Sequence, residues 1–379
     1  MKKLFTLFIY IGSLLLGFTS CGDEAFDVDS VNKQTLLIMY PWTNDADLYF
    51  DLQGNLEKIE NAIKTNKGLK STRVFVFQGT SANQSELFEL TYNSSNFTVE
   101  RTSVNSYTGN AYTTTEGLTQ ILHDVKEKAE ALNYALIIGS HGTGWLSAPT
   151  RSFGGNTAST AINVTSLAEA IQKNSIKMQY ILFDACYMGN VETAYELKDA
   201  TNILVASPNE IMSSGIPYDK VWSYLNTSIP NYSSIVSTFC SYYKETDTPY
   251  ASLAAIDCRQ LPTLAAIMKD INQNYTITAE RLKGVQVEDR YSPNIYYDLT
   301  NYVDSIHVSG VLKDKFITQM KATVKAAQST EKAFIGTSTP AIEVKDFSGL
   351  ATSDPSTNPT IVDSKKLTSW WKATHISEE

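Results

Sequence analysis

Tyr134-Ala135-Leu136-Ile137-Ile138 runs into Gly139-Ser140-His141-Gly142-Thr143-Gly144-Trp145, and Met178 to Phe183 runs into Asp184-Ala185-Cys186-Tyr187-Met188-Gly189-Asn190. Both stretches are an unbroken apolar run followed at once by small, polar and reactive residues. A short continuous apolar run bounded by turn formers reads as a strand buried on both faces. Working outward, Leu36 to Tyr40, Val74 to Phe77 (closed by Gly79), Ile203 to Ala206 and Ser252 to Asp257 have the same character. Apolar residues at helical spacing lie between them: Leu52, Leu56, Ile59 and Ile63, then Leu118, Ile121, Leu122 and Val125. Ser166 and Glu169 have the spacing of a capping box that opens a short helix through Leu167, Ala170 and Ile171. Asn190 to Leu197 and the stretch with Pro262 in its first turn are further helices. An alternating segment from Leu87 to Arg101 reads as a hairpin turning at Asn93-Ser94-Ser95-Asn96. Buried strands alternating with helices make an α/β fold around a mainly parallel sheet covered on both faces.

Past about Tyr275 the pattern weakens. Leu312, Phe316, Ile317 and Met320 keep a helical period, whereas residues 338–364, rich in Ser, Thr, Pro and Asp, read as loop and edge structure. At the other end, Lys2 and Lys3 precede an apolar stretch from Leu4 to Phe18, the order of an export signal and short for a membrane span. Phe18-Thr19-Ser20-Cys21 resembles a bacterial lipoprotein signal, which makes Cys21 the expected lipidation site. The expected organisation is a signal over 1–21, an acidic tether over 22–33 and one catalytic-sized domain over 34–379, least defined from about 275. The expected location is the cell envelope, lipid-anchored to the outer membrane on its periplasmic or surface face.

The formal charge is −9, and loss of the two leader lysines leaves −11. Phosphate backbones would be repelled, so nucleic acid is not an expected partner, and basic peptides or proteins are. Four cysteines are too few for a disulfide framework. With Cys21 lipidated and Cys186 reactive, Cys240 and Cys258 remain, as two thiols or one bridge.

In open α/β sheets, ligands gather outside the carboxyl ends of the strands. Neighbouring strands would bring His141 and Cys186 to one such edge. A thiol needs a base to become a nucleophile near neutral pH, and His141 could serve, later protonating a leaving amine. Gly142, lacking a side chain, lets its N–H approach a carbonyl oxygen, and with the Cys186 N–H it could form an oxyanion hole. Taken singly, a strand-end cysteine is ordinarily a small buried hydrophobe and a loop histidine has no role. Their joint placement favours chemistry. His123, His307 and His375 have no partners at zinc-ligand spacing. Thr43 to Asp51 is acid-rich, yet its spacing is not an EF-hand, so no motif supports calcium.

The His-Gly-Thr-Gly-Trp run and Asp-Ala-Cys-Tyr-Met-Gly-Asn-Val-Glu closely resemble the clostripain family of cysteine peptidases, in the clan that includes the caspases. The resemblance extends from near Leu36 to Asp257, and more weakly through Tyr296-Tyr297-Asp298-Leu299. It implies a caspase-like α/β/α sandwich and an exported endopeptidase that cleaves after Arg or Lys through an acyl-enzyme; no required cofactor is expected, and calcium, which some family members need, is possible without a motif for it. By the same resemblance Cys186 is the nucleophile and His141 the general base and acid. Asp184 then forms the floor of the pocket for the basic residue. Glu210 is expected as a second acid there, in preference to Asp219. Family members are commonly cut in the loop between the two motif strands, here Leu146 to Asn163, where Arg151 is the basic residue. The rival reading is an inactive surface module of the same fold that binds peptides or glycans.

Overall fold

The computed structural model describes residues 32–146, 152–336 and 341–376. Its frame is a sheet of nine strands: β1 (Gln34–Tyr40), β2 (Thr72–Ser81), β3 (Gln84–Asn93), β4 (Thr98–Thr108), β5 (Asn133–Gly139), β6 (Met178–Asp184), β7 (Thr201–Ala206), β8 (Ser252–Asp257) and β9 (Val324–Ser329). The spatial order is β9-β8-β7-β6-β5-β1-β2-β3-β4. The five central strands, β7-β6-β5-β1-β2, run parallel. An antiparallel pair extends each side.

Alternation along each strand divides the core into two layers. Leu36, Ile38, Tyr40, Ala135, Ile137, Tyr180, Leu182, Ile203 and Val205 face one side. They pack under α1 (Ala46–Thr65), α5 (Tyr218–Leu225) and α6 (Tyr232–Lys244). Leu37, Met39, Leu136, Ile138, Ile181, Phe183 and Leu204 face the other. There they meet α2 (Thr115–Lys128), α3 (Val164–Lys173), α4 (Val191–Glu196) and α7 (Leu261–Asn274). Each large apolar side chain fully withdrawn from water contributes about 1.5–3 kcal/mol, so both layers are needed to hold the central strands. This is the α/β/α sandwich expected from the sequence. The edge strand β4 is mostly exposed and polar, which discourages further strand pairing there.

Two local expectations change. The helix read from the Ser166–Glu169 spacing begins earlier, at Val164 with Asn163 at its cap, so both residues lie inside α3. Ser, Thr and Asn all favour caps, and the apolar Val164, buried in the core, draws the start forward. Residues 341–376, which include much of the Ser- and Thr-rich tail, are more deeply anchored than loop and edge structure suggests. Thr352, Ser353 and Asp354 are buried, and Ala351–Thr352 pairs with Tyr297–Asp298. Residues from Asn32 onward form one compact unit. Cys240 and Cys258 are separate thiols in opposite layers of the core. No helix among the described residues is long and apolar enough to cross a membrane.

Candidate active site

The parallel strands deliver their ends to one edge of the sheet. Asp45 follows β1, His141 follows β5, Asp184 closes β6 with Cys186 just beyond it, and Glu210 follows β7. All five line a single cleft of about 620 Å³.

Cys186 is partly buried and precedes Tyr187, whose φ of +61° is left-handed, a conformation rare for an aromatic residue. Such strain costs of the order of 1–3 kcal/mol and persists only where the surroundings impose it. Here the Tyr187 N–H donates to the Asn209 carbonyl (2.9 Å) and its hydroxyl to Glu210 Oε1 (2.8 Å). Its ring stacks on Tyr296 at 5.8 Å. The Cys186 sulfur is bracketed by one residue: the Ile211 N–H donates to Sγ (3.4 Å) and the thiol donates to the Ile211 carbonyl (3.7 Å). Burial, and next the Glu210 carboxylate, push this thiol up to about 12; the Ile211 N–H and Arg290 act the other way. These surroundings favour the thiol over the thiolate.

His141 and Gly142 form the first strand of a small three-stranded sheet with Phe153–Gly154 and Ala161–Ile162. The Thr143 N–H donates to the Ser152 carbonyl (2.9 Å), so antiparallel alternation turns the Gly142 N–H away from Phe153. A Cβ on Gly142 would collide with the Cys186 carbonyl oxygen and lie 2.9 Å from its nitrogen. Only glycine allows the two loops to approach this closely. Gly144 (φ +80°) lies under the Tyr296 hydroxyl, which donates to the Thr143 carbonyl (2.7 Å). Tyr296 thus ties the His141 loop to the Tyr187 loop.

His141 Nε2 lies 3.5 Å from Asp45 Oδ2. The other oxygen of Asp45 caps α1, accepting from the N–H groups of Asp47 and Leu48. Asp45 was invisible as a partner in the sequence, where it counts only among the acids of the stretch from Thr43 to Asp51. The available signal was its position just past β1, on the same sheet edge.

Asp184 is buried at the cleft wall. Its Oδ2 accepts from the Ile216 N–H (3.1 Å) and the Tyr218 hydroxyl (3.1 Å), and burial pushes it up to about 6. Gly215 (φ +64°) faces it: a Cβ there would sit 2.5 Å from Asp184 Oδ2 and 2.8 Å from the Asn55 amide nitrogen. The missing side chain lets the backbone at Gly215 close up against the carboxylate. Glu210 is differently engaged. Its Oε1 accepts from Tyr187 and lies 3.2 Å from the Arg290 guanidinium. Asp219 pairs with Lys220 and does not line the cleft. Ile211 and Arg290 were not singled out from the sequence; neither has a local pattern that marks it.

Cys21 and Arg151 lie outside the described residues. Trp145 packs in a small cluster with Tyr187, Ile295 and Tyr296. Among the described residues, no group of three or more His, Cys, Asp or Glu could hold a metal ion.

Residues 43–354 match a family model described as the clostripain family. The chain is similar to a solved secreted C11 cysteine protease from Bacteroides thetaiotaomicron, called iotapain. That similarity has 35% identity and a TM-score of 0.86, over 91% of this chain and 100% of that one. It is also similar to an inactive zymogen C11 protease from Parabacteroides distasonis, at 25% identity and TM-score 0.79, over 90% and 98% of the two chains. A clostripain from B. thetaiotaomicron, solved with the peptide inhibitor BTN-VLTK-AOMK, is 37% identical with TM-score 0.57. That match covers 59% of this chain and all of the other. No curated protein matches the chain.

Proposed function

The chain belongs to the clostripain family of cysteine peptidases, and from that premise we propose that it cleaves peptide bonds after Arg or Lys, using Cys186 and His141 through an acyl-enzyme. The observation that carries the reading is the convergence of His141, Gly142, Asp184 and Cys186 on one cleft.

In this mechanism a substrate entering the cleft displaces the Ile211 backbone from the sulfur. His141 takes the thiol proton and Asp45 holds the imidazole in line and stabilises its charge. The thiolate attacks the scissile carbonyl carbon, and the N–H groups of Gly142 and Cys186 receive the developing oxyanion. His141 then protonates the leaving amine, giving a thioester that water hydrolyses. Asp184, at the cleft wall, pairs with the guanidinium or ammonium of the residue on the acyl side of the scissile bond (P1). The lysine ending the inhibitor sequence of the B. thetaiotaomicron clostripain supports a basic P1. The reacting groups of this scheme are side chains and backbone groups of the chain itself, and turnover measured with and without a calcium chelator reads whether that ion is needed.

The reading extends to the ends of the polypeptide. Lipid on Cys21 would tether the enzyme to the outer membrane, and metabolic palmitate labelling that persists in Cys21→Ala would exclude it. Self-cleavage after Arg151 would mature it, and a fully active preparation that runs as one intact chain would argue against that. The central test uses fluorogenic peptides with Arg, Lys, Asp or Leu at P1 and protein lacking residues 1–21. Cleavage after Arg and Lys, lost by at least about 10³-fold in Cys186→Ala, is the expected result. Equal turnover by wild type and Cys186→Ala would overturn the mechanism.

A further inference from the structure

Among the described residues that line the cleft, Arg290 is the only Arg or Lys, and the mechanism above does not use it. The chain holds it firmly. Asp289, next to it, accepts from the N–H groups of Tyr291 (2.8 Å), Ile295 (2.8 Å) and Tyr296, and from the Asn294 amide. That knot fixes the backbone from which Arg290 projects. One guanidinium nitrogen lies 3.2 Å from Glu210, and another lies over Gly336, where a Cβ would collide with it. The Arg290 side chain is nevertheless 44% exposed, whereas Glu210 is 12% exposed. The acid is covered and the cation faces the cleft, with donors left over from a guanidinium that has five.

The order of the sheet says which part of a substrate meets it. His141 comes from β5 and Glu210 from the segment after β7, with Cys186 from β6 between them. The leaving amine must lie toward His141, its proton donor. The acyl portion then extends the other way, past Ile211 and toward Glu210 and Arg290. We infer that Arg290 forms a subsite for an acidic side chain on the acyl side of the scissile bond, at P2 to P4. Favoured substrates thus carry Asp or Glu shortly ahead of the basic P1 residue. The inference rests on the basic P1 reading and adds a second charge to it. Glu210, neutralised by Arg290 and bonded to Tyr187, orients the guanidinium and is a positioning residue for it.

The test compares peptides with Arg at P1 and Ala, Asp, Glu or Lys placed singly at P2, P3 and P4, with wild type, Arg290→Gln and Arg290→Glu. At one position Asp or Glu should raise kcat/KM about fivefold over Ala, the scale of a partly exposed ion pair. That ratio should fall to about one in Arg290→Gln and invert in favour of Lys in Arg290→Glu. Identical ratios in wild type and Arg290→Gln would overturn the inference. So would a uniform rise in turnover of all peptides by Arg290→Gln, which would mark Arg290 as a plug. Affinities of the same peptides for Cys186→Ala, with and without Arg290→Gln, read the subsite by fluorescence polarisation without turnover. Acid preference that depends on Arg290 there, with no cleavage after Arg, keeps the subsite and removes the P1 reading. Cleavage after Arg with no acid effect removes the subsite alone.

Discussion

At the scale of single residues, the site is a set of carboxylates with different employments. Asp45 divides its oxygens between a helix cap and His141. Asp45→Asn retains the capping oxygen and loses the charge behind the imidazole. It is expected to lower kcat by about tenfold to a hundredfold, less than loss of the base itself, with KM little changed in steady-state kinetics. Asp184 is the opposite case. Burial raises it to about 6, above the ordinary carboxylate value of 3.8, so the folded protein binds its proton more tightly than the unfolded chain does. Stability is therefore lost as pH rises from about 4 to about 6, by about 3 kcal/mol, and the loss is complete at pH 7. Asp184→Asn should raise the unfolding free energy by up to that amount at pH 7 and by almost nothing at pH 4. Urea titrations at the two pH values check this, and cleavage after Arg and Lys should fall in the same variant. A substrate cation would offset the cost that burial places on the ionised form. That His141, Cys186 and Asp184 meet at one sheet edge was legible because each stands at the abrupt end of an apolar run. The contact between Asp45 and His141 was not, because it joins residues 96 positions apart that no local pattern relates.

At the scale of elements, two loops make the reactive edge, and glycines set their separation. Gly142→Ala is expected to fold with the His141 loop pushed off Cys186, and to lose at least about 100-fold in kcat, the usual cost of a lost oxyanion donor. A crystal structure of the variant with unshifted loops and unchanged turnover would refute that role. Tyr296→Phe removes the bond to the Thr143 carbonyl that couples the two loops, and should cost about 1 kcal/mol of stability in urea unfolding. The strands and most helices were readable because buried parallel strands leave no polar positions in their sequence, and helices betray themselves by spacing. The start of α3 was not, since capping residues occur in several registers there and core packing by Val164 chose among them. The weak signal beyond Tyr275 has a related cause. Residues 341–376 carry little regular structure and are held by polar side chains, which leave no period.

At the scale of the whole molecule, that C-terminal part is joined to the sandwich through the buried Glu192 and braced within itself by the buried Lys365. Glu192 of α4 accepts from the Ser353 N–H and hydroxyl, and the Lys365 ammonium donates to the carbonyls of Asp354 (2.6 Å) and Ser356 (2.7 Å). Lys365→Met leaves those carbonyls without a donor. It should destabilise the fold by about 2–4 kcal/mol in urea while the folded fraction retains its kcat. The thiols show a comparable economy of exposure. Cys240 and Cys258 are sealed in separate layers, and Cys186 is held between the two backbone groups of Ile211. Peroxide attacks thiolates far faster than thiols, and over-oxidised sulfur is beyond repair in a compartment without reductants. In the proposed mechanism, a nucleophile that stays protonated until a peptide lifts Ile211 away gains durability: it can wait for its substrate without being consumed by peroxide.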